Sequence, residues 1–477
     1  MQFVNRFHSL GTNFYTQLSP QGLPKPKLVS ASTACSDDYG LQSLSNNTEA
    51  LLAVTAGNAL LEGMQPLAAV YSGHQFGSYN PQLGDGRALL LGEAKTTAGH
   101  CELQLKGAGE TPYSRSADGR AVLRSSIREY LCSEAMHGLG ISTTRALSIV
   151  HSDLPVYRET PETASCVMRV APSFIRFGSF EFFHYNNKPE AVRALADHIL
   201  SAHLPKLAAE PDCYAQLLRH TVHQTALTIA QWQAVGFAHG VMNTDNMSIL
   251  GLTMDYGPFG FLDDYDPHYI CNHSDYQGRY AFDQQPSIAL WNLNALGNAF
   301  TSLMDTPDII DILKEFEPQF LVQHDALMRK KLGLLKSQDN DMQLVASLLA
   351  LMKKERSDYT NTFRSLCDND ENPAGFIDNF IDRNAAQTWL ESYQQRLQIE
   401  ASSPTERKTL MKSHNPKYIL RNYLAQNAIS QAEQGDYSEV NTLLDILSKP
   451  YDEQYEFESY AKRPPNWGKH LEISCSS

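Results

Sequence analysis

The chain has 477 residues, 42% hydrophobic, 19% charged and 10% aromatic, a composition that supports a substantial folded core and a length that suits two or three domains or one large two-lobed unit. A formal charge of −14 argues against broad binding to nucleic acid or to an anionic membrane, because either would be repelled by the overall field. No apolar run reaches the roughly 18 residues of a membrane-spanning helix, and the first 18 residues alternate polar and apolar side chains without a signal core, so the expected location is the cytoplasm.

Residues 1 to about 45 contain Pro20, Pro24 and Pro26 and few long apolar periods, which predicts an extended arm lying on the main body. Helical spacing predicts a helix from Thr48 to Glu62, stopped by Gly63. Gly84 and Gly86 then flank an acidic residue before an apolar strand, with Arg87 beside them. Backbone N–H groups there can approach a phosphate, although an Asp-Gly hairpin turn is written with the same letters. Alternation in Cys101–Lys106 puts Glu102, Gln104 and Lys106 on one strand face, ending at a Gly107-Ala108-Gly109 loop. Asp118 and Gly119 make a second turn before a helix expected from Leu123 to Leu139, whose apolar stripe is Ile127, Leu131, Ala135 and Leu139. Glu129 lies off that stripe. A strand lysine followed by a helix glutamate is the order of the pair that positions ATP phosphates in kinases, so Lys106 and Glu129 are a candidate pair, against the simpler reading of a solvated glutamate.

Two strands follow, 141–150 and 164–170, and Arg169 and Arg176 flank the turn between them and the next segment. Two arginines near one turn suit bidentate capture of a triphosphate, while surface arginines are common. Long helical periods then take over: 190–204, 220–235, 288–303, 308–332 broken at Pro318, 343–351, 385–397, 418–434 and 440–447. The expected fold class is therefore α+β, with a strand-rich first part, residues 1–172, and a helical second part, residues 173–477, the outline of a two-lobed protein kinase.

The centre of the pattern is His239 to Asp266. Thr244-Asp245-Asn246 and Asp255-Tyr256-Gly257 are separated by 247–254, an apolar, β-capable stretch that predicts a short strand or hairpin holding Asn246 and Asp255 side by side. An amide oxygen beside a carboxylate suits Mg²⁺ or Mn²⁺, which leaves Asp245 available as a base. The arrangement resembles the catalytic loop and Asp-Phe-Gly segment of kinases, with the Asp and Asn adjacent here and Tyr in place of Phe. Taken alone, the same residues also read as surface turns.

GHQFG at 73–77, QLGDGRA at 82–88, LQLKGAGETPYSRSADGRA at 103–121, IREYLCSEAMHGLG at 127–140, MRVAPSFIRFGSFE at 168–181, HGVMNTDNMSILG at 239–251 and DYGPFGFLDDYDP at 255–267 together resemble the selenoprotein O (YdiU) family, from Arg6 to Cys475. The resemblance implies a kinase-like fold that binds ATP in reversed orientation and transfers AMP to Ser, Thr or Tyr hydroxyls of proteins, its own chain among the candidate acceptors. It implies Asp245 as proton acceptor, Asn246 and Asp255 as metal ligands, and Lys106, Arg169 and Arg176 on the phosphates. Gly84, Gly86, Arg87, Asp118 and Gly119 complete the implied nucleotide pocket, and Glu129 matches the lysine's partner. A protein kinase and an ATP-binding scaffold are the rival readings.

The eight cysteines show no CxxC spacing, which indicates neither a zinc site nor a disulfide framework. Some family members carry selenocysteine at the antepenultimate position, where this chain has Cys475. The resemblance thus raises a reversible disulfide with Cys271, which follows the Asp255-Tyr256-Gly257 segment, against a free terminal thiol.

Overall fold

The computed structural model describes residues 1–400 and 402–473. The architecture is mixed α and β: one nine-stranded antiparallel sheet and many helices. The sheet runs Tyr15–Gln17, Leu67–Ala69, Ala88–Thr96, Gly99–Lys106, Pro161–Ala171, Arg145–Tyr157, Lys27–Ala31, with Gln2–Phe3 added to Ala88–Thr96 and Ala121–Val122 to Pro161–Ala171. All of it is drawn from the first 171 residues, and the second part is largely helical. Among the described residues no helix is long and apolar enough to cross a membrane.

The expected N-terminal arm is instead part of this sheet. Gln2–Phe3, Tyr15–Gln17 and Lys27–Ala31 are all strands, and Thr33–Tyr39 is a helix capped by the Ser32 side chain. Prolines at 20, 24 and 26 fall between strands, where a missing N–H costs no ladder bond. The helix expected to reach Glu62 stops at Thr55, where the chain turns through Gly57 at φ +72°. The predicted break at Pro318 lies slightly earlier: helices Thr306–Leu313 and Phe316–Lys331 meet at Lys314-Glu315, with Pro318 in the first turn of the second, where proline is tolerated.

Residues 247–254 form no hairpin. Their backbone pairs with other segments: Phe177 N donates to Met247 O at 2.8 Å, Ile249 N to Ile175 O at 3.2 Å and Thr253 N to Ser142 O at 2.8 Å. Ile249 and Met254 are buried in the large core, so docking both ends onto neighbours satisfies the backbone better than folding the stretch on itself.

Two layers position the site. Helix Leu123–Gly138 lies against the sheet with Ile127, Leu131 and Ala135 fully buried. It is buried on nearly every side, so Glu129, off the apolar stripe, is 3% exposed and not a solvated glutamate. A carboxylate there requires partners.

Candidate active site

The strand register builds the first half of the site. Val167 is opposite Lys106 and Arg169 opposite Gln104, so the period of two puts Lys106, Gln104 and Arg169 on one face, beneath Glu129. Lys106 Nζ stands 2.6 Å from Glu129 Oε2, and Arg169 Nη1 stands 3.0 Å from Glu129 Oε1. Arg169 Nη2 also donates to the Gln104 side chain. One carboxylate thereby orients two cations.

The second half comes from the loop after helix Cys213–Val235. Thr244–Asn246 form a single 3₁₀ turn, followed by the tethered stretch 247–254 and then Asp255, which sits at φ +59°. His239 fixes the two ends relative to each other: its ring stacks on Trp232 at 5.3 Å, and its Nε2 bonds Met254 O at 2.9 Å. Burial keeps that imidazole neutral by lowering its pKa, which suits a ring donating from Nε2.

The halves meet at Asp255. Arg169 Nη1 is 2.5 Å from Oδ1, Arg176 Nη1 is 2.6 Å from Oδ2, and Lys106 Nζ is 3.4 Å from Oδ1. Burial disfavours the charged carboxylate, but Arg169, Arg176 and Lys106 more than offset it and hold Asp255 well below the usual carboxylate range. Arg176 also donates to Asp245 O at 2.6 Å and lies over the Tyr71 ring at 4.5 Å. The two arginines grip an aspartate here as well as facing open space.

Asp245 is in a contrasting environment. Burial pushes its carboxyl up to about 7, against the lowering influence of Arg176 and a hydrogen bond from Gln75 Nε2 to Oδ2 at 3.2 Å. Its Oδ1 is buried with no hydrogen-bond partner. Asn246 Nδ2 donates to Val241 O at 3.0 Å, which turns its amide oxygen the other way. Two neighbouring carboxylates, one held ionised and one near neutrality, is the pattern of a site that separates charge binding from proton transfer.

The candidate nucleotide, metal and catalytic residues of the sequence reading all border one cavity of about 650 Å³: Gly84, Gly86, Arg87, Lys106, Asp118, Gly119, Glu129, Arg169, Arg176, Asp245, Asn246 and Asp255. The glycines are there because nothing larger fits. A Cβ on Gly84, at φ +98°, would stand 2.5 Å from the Tyr113 ring, and one on Gly119 would stand 2.1 Å from Gly109 O. Asp118 is committed to Arg158, 2.8 Å from its Nη1, and to Arg120 N at 2.9 Å, so it shapes the rim. Gln104 was within reach of sequence reasoning through the strand alternation, whereas Gln75, Tyr71 and Arg158 carry no local signal of their contacts.

Among the described residues no cluster of three His, Cys, Asp or Glu side chains forms a ready metal cage. The side-chain oxygens of Asp255, Asn246 and Asp245 belong to residues that line the cavity, and this donor set fits a hard divalent cation that takes its remaining ligands from water and phosphate. Cys271 is buried, with Sγ 3.4 Å from Ala238 O, while Cys475 lies outside the described residues, and the pairing between them with it.

Cations, closely approached glycines and paired carboxylates around one cavity make up the chemistry of an enzyme that handles phosphates. Comparison with known proteins agrees in kind: residues 1–448 match the family model described as protein adenylyltransferase SelO, and the chain belongs to that family. It is similar to the protein nucleotidyltransferase YdiU of Vibrio parahaemolyticus, 53% identical over 485 residues covering 100% of this chain and 99% of the relative. The proteins of that name from Yersinia pseudotuberculosis and Pseudomonas fluorescens are 52% and 50% identical, each with 100% of this chain and 99% of the relative covered. The chain is accordingly an enzyme of the nucleotidyltransferase class, a protein adenylyltransferase.

Proposed function

We propose that the chain binds ATP in the cavity around Asp255 and transfers its AMP group to Ser, Thr or Tyr hydroxyls of proteins, its own included, with release of diphosphate. The observation that carries the reading is the convergence of Lys106, Arg169 and Arg176 on Asp255 beside a second, high-pKa carboxylate, Asp245. The cations offset the triphosphate's charge, and Gly84, Gly86 and Gly119 admit it close to the backbone, with Arg87 and Asp118 at the edge. Asn246 and Asp255 would hold Mg²⁺ or Mn²⁺, which when bound stabilises charge on the phosphoryl oxygens.

Asp245 takes the proton of the acceptor hydroxyl. That oxygen then bonds to the α-phosphorus as the bond from the α-phosphorus to its bridging oxygen breaks, and diphosphate leaves with the electron pair. A carboxyl near 7 is matched to this task at neutral pH. The same reading takes residues 1–172 and 173–477 as the two lobes of a kinase-like fold with the cavity between them. It also takes the protein as cytoplasmic, supported by Cys35, Cys101, Cys132, Cys166, Cys213 and Cys367 being thiols.

The test is to incubate wild type and Asp245→Ala with ATP labelled on the α- or the γ-phosphate. Protein label from α-ATP alone, absent in the variant, is the expected result. Label from γ-ATP alone would make the chain a kinase, and label from neither would favour the scaffold reading.

A further inference from the structure

At the edge of the cavity, beside Asp245, three separate segments bring aromatic rings to the surface. The hairpin Gly73–Gln75 and Ser78–Asn80 packs directly on the catalytic turn: a Cβ on Gly73 would stand 2.7 Å from Asp245 Oδ1. Its tip is bolted down. Phe76 N donates to the Tyr280 hydroxyl at 2.9 Å, and that hydroxyl donates to Asn243 Oδ1 at 2.7 Å, two residues before Asp245. The Phe76 backbone is held at φ +50°, a conformation uncommon outside glycine, with 43% of the residue exposed.

His74 then links the hairpin to two helices. Its ring lies 5.1 Å from Trp291 and 6.1 Å from Tyr185, and Trp291 and Tyr185 are themselves 36% and 45% exposed. Large aromatic rings held rigid and left open are what interfaces use as anchors.

Among them lies Arg279. Its guanidinium sits 4.9 Å over the Trp291 ring and 3.3 Å from where a Cβ on Gly77 would be. Among the described residues no Asp or Glu side chain pairs with it, and its buried Nε has no hydrogen-bond partner. In a chain carrying 53 acidic and 39 basic residues, an arginine without a carboxylate next to the catalytic turn calls for a negative charge from outside.

We propose that this surface, Phe76, Tyr185 and Trp291 around Arg279, docks the acceptor polypeptide as an extended segment with an Asp or Glu near the hydroxyl presented to Asp245. The proposal rests on the AMP-transfer reading above. From Gly73, which touches Asp245, the strand runs to Gln75 and reverses at Phe76-Gly77, where Gly77 touches Arg279; the reach is about two or three residues, so an extended acceptor places its acidic side chain about two or three residues from the modified one. The aromatic faces accept varied apolar neighbours, while the arginine selects charge.

The experiment uses an oriented library of Ser, Thr and Tyr peptides, with one flanking position fixed at a time, α-labelled ATP, and the full chain as wild type, Arg279→Glu, Arg279→Gln and Trp291→Ala. Wild type is expected to prefer Asp or Glu about tenfold at one flanking position. Arg279→Glu should exchange that preference for Lys or Arg, and Arg279→Gln should flatten it. Trp291→Ala should raise KM for the selected peptide about fivefold or more and leave KM for ATP within about twofold. A labelled library with no charge preference, the same preference in all variants, or label reaching whole proteins but no peptide overturns the proposal. Failure of wild type to transfer α-label to any acceptor, itself included, would instead overturn the AMP-transfer reading on which it rests.

Discussion

Arg169 Nη1 lies 2.5 Å from Asp255 Oδ1, a contact between residues 86 positions apart that joins the sheet to the loop after helix Cys213–Val235. Glu129 and Gln104 hold the arginine from behind, and Arg176 and Lys106 hold the aspartate from the other sides. The cluster is buried, so removing one member leaves the others uncompensated. Asp255→Asn is expected to destabilise the chain by about 3 kcal/mol and to abolish α-label transfer. Urea unfolding alongside the transfer assay checks both, and an unchanged unfolding midpoint would contradict the role given to this ion cluster.

Glu129 touches two cations and lies behind them, which separates its role from theirs. Glu129→Gln should misplace Lys106 and Arg169 and raise KM for ATP by about tenfold, with a smaller effect on KM for the acceptor. Lys106→Met removes the charge itself and should cost about 100-fold in kcat/KM for ATP. Steady-state kinetics with each substrate varied in turn separates the two.

Gly73 is in contact with Asp245 and adopts no positive φ, so replacing it tests space and not backbone strain. An added Cβ would meet Asp245 Oδ1 at 2.7 Å and Asp245 N at 3.1 Å. Gly73→Ala should lower transfer at least about tenfold through displacement of the base while ATP still raises the melting temperature. Loss of the ATP-induced shift as well would mean that the hairpin supports the cavity and not Asp245 in particular.

Glu102 provides a pH-dependent test at a residue apart from those that line the cavity. It is buried on the strand face that also carries Gln104 and Lys106, where Phe174 N donates to its Oε2 at 2.8 Å, and burial pushes its carboxyl up to about 8. A folded pKa above the unfolded one means that the folded chain binds an extra proton between about 4.3 and 8. Stability therefore falls as pH rises through that window. Glu102→Gln should unfold at a similar urea concentration to wild type near pH 4.5 and be more stable by a few kcal/mol near pH 9. An identical pH dependence in both proteins would show that Glu102 is not held protonated.

Much of the site was legible before any folding was considered. Alternation in Cys101–Lys106 assigned Lys106 to a strand face, helical spacing set Glu129 on the next element, and the 2.6 Å pair between them follows from that order. The polar clusters at 244–246 and 255–257 were equally visible, because unusual density of Asp, Asn and Gly is a local property. The first 45 residues misled, since three short strands that borrow stability from neighbours far along the chain look like an arm when read alone. Residues 247–254 misled for the related reason that their two ends pair with Ile175, Phe177 and Ser142, while a tight turn, Gly251 N to Ser248 O, and no hairpin ladder closes within the stretch.

By itself the sequence determined which chemical groups the protein owns and on which kind of element each sits, because periodicities of 2 and 3.6 residues are carried within short windows. Only the tertiary structure decided that Arg169 and Arg176 converge on Asp255, that Asp245 is buried to a pKa near 7, and that Gly73 leans against it. Those facts depend on strand register and on burial by residues such as Arg176 and Gln75, 69 and 170 positions from Asp245, and no local pattern encodes either quantity.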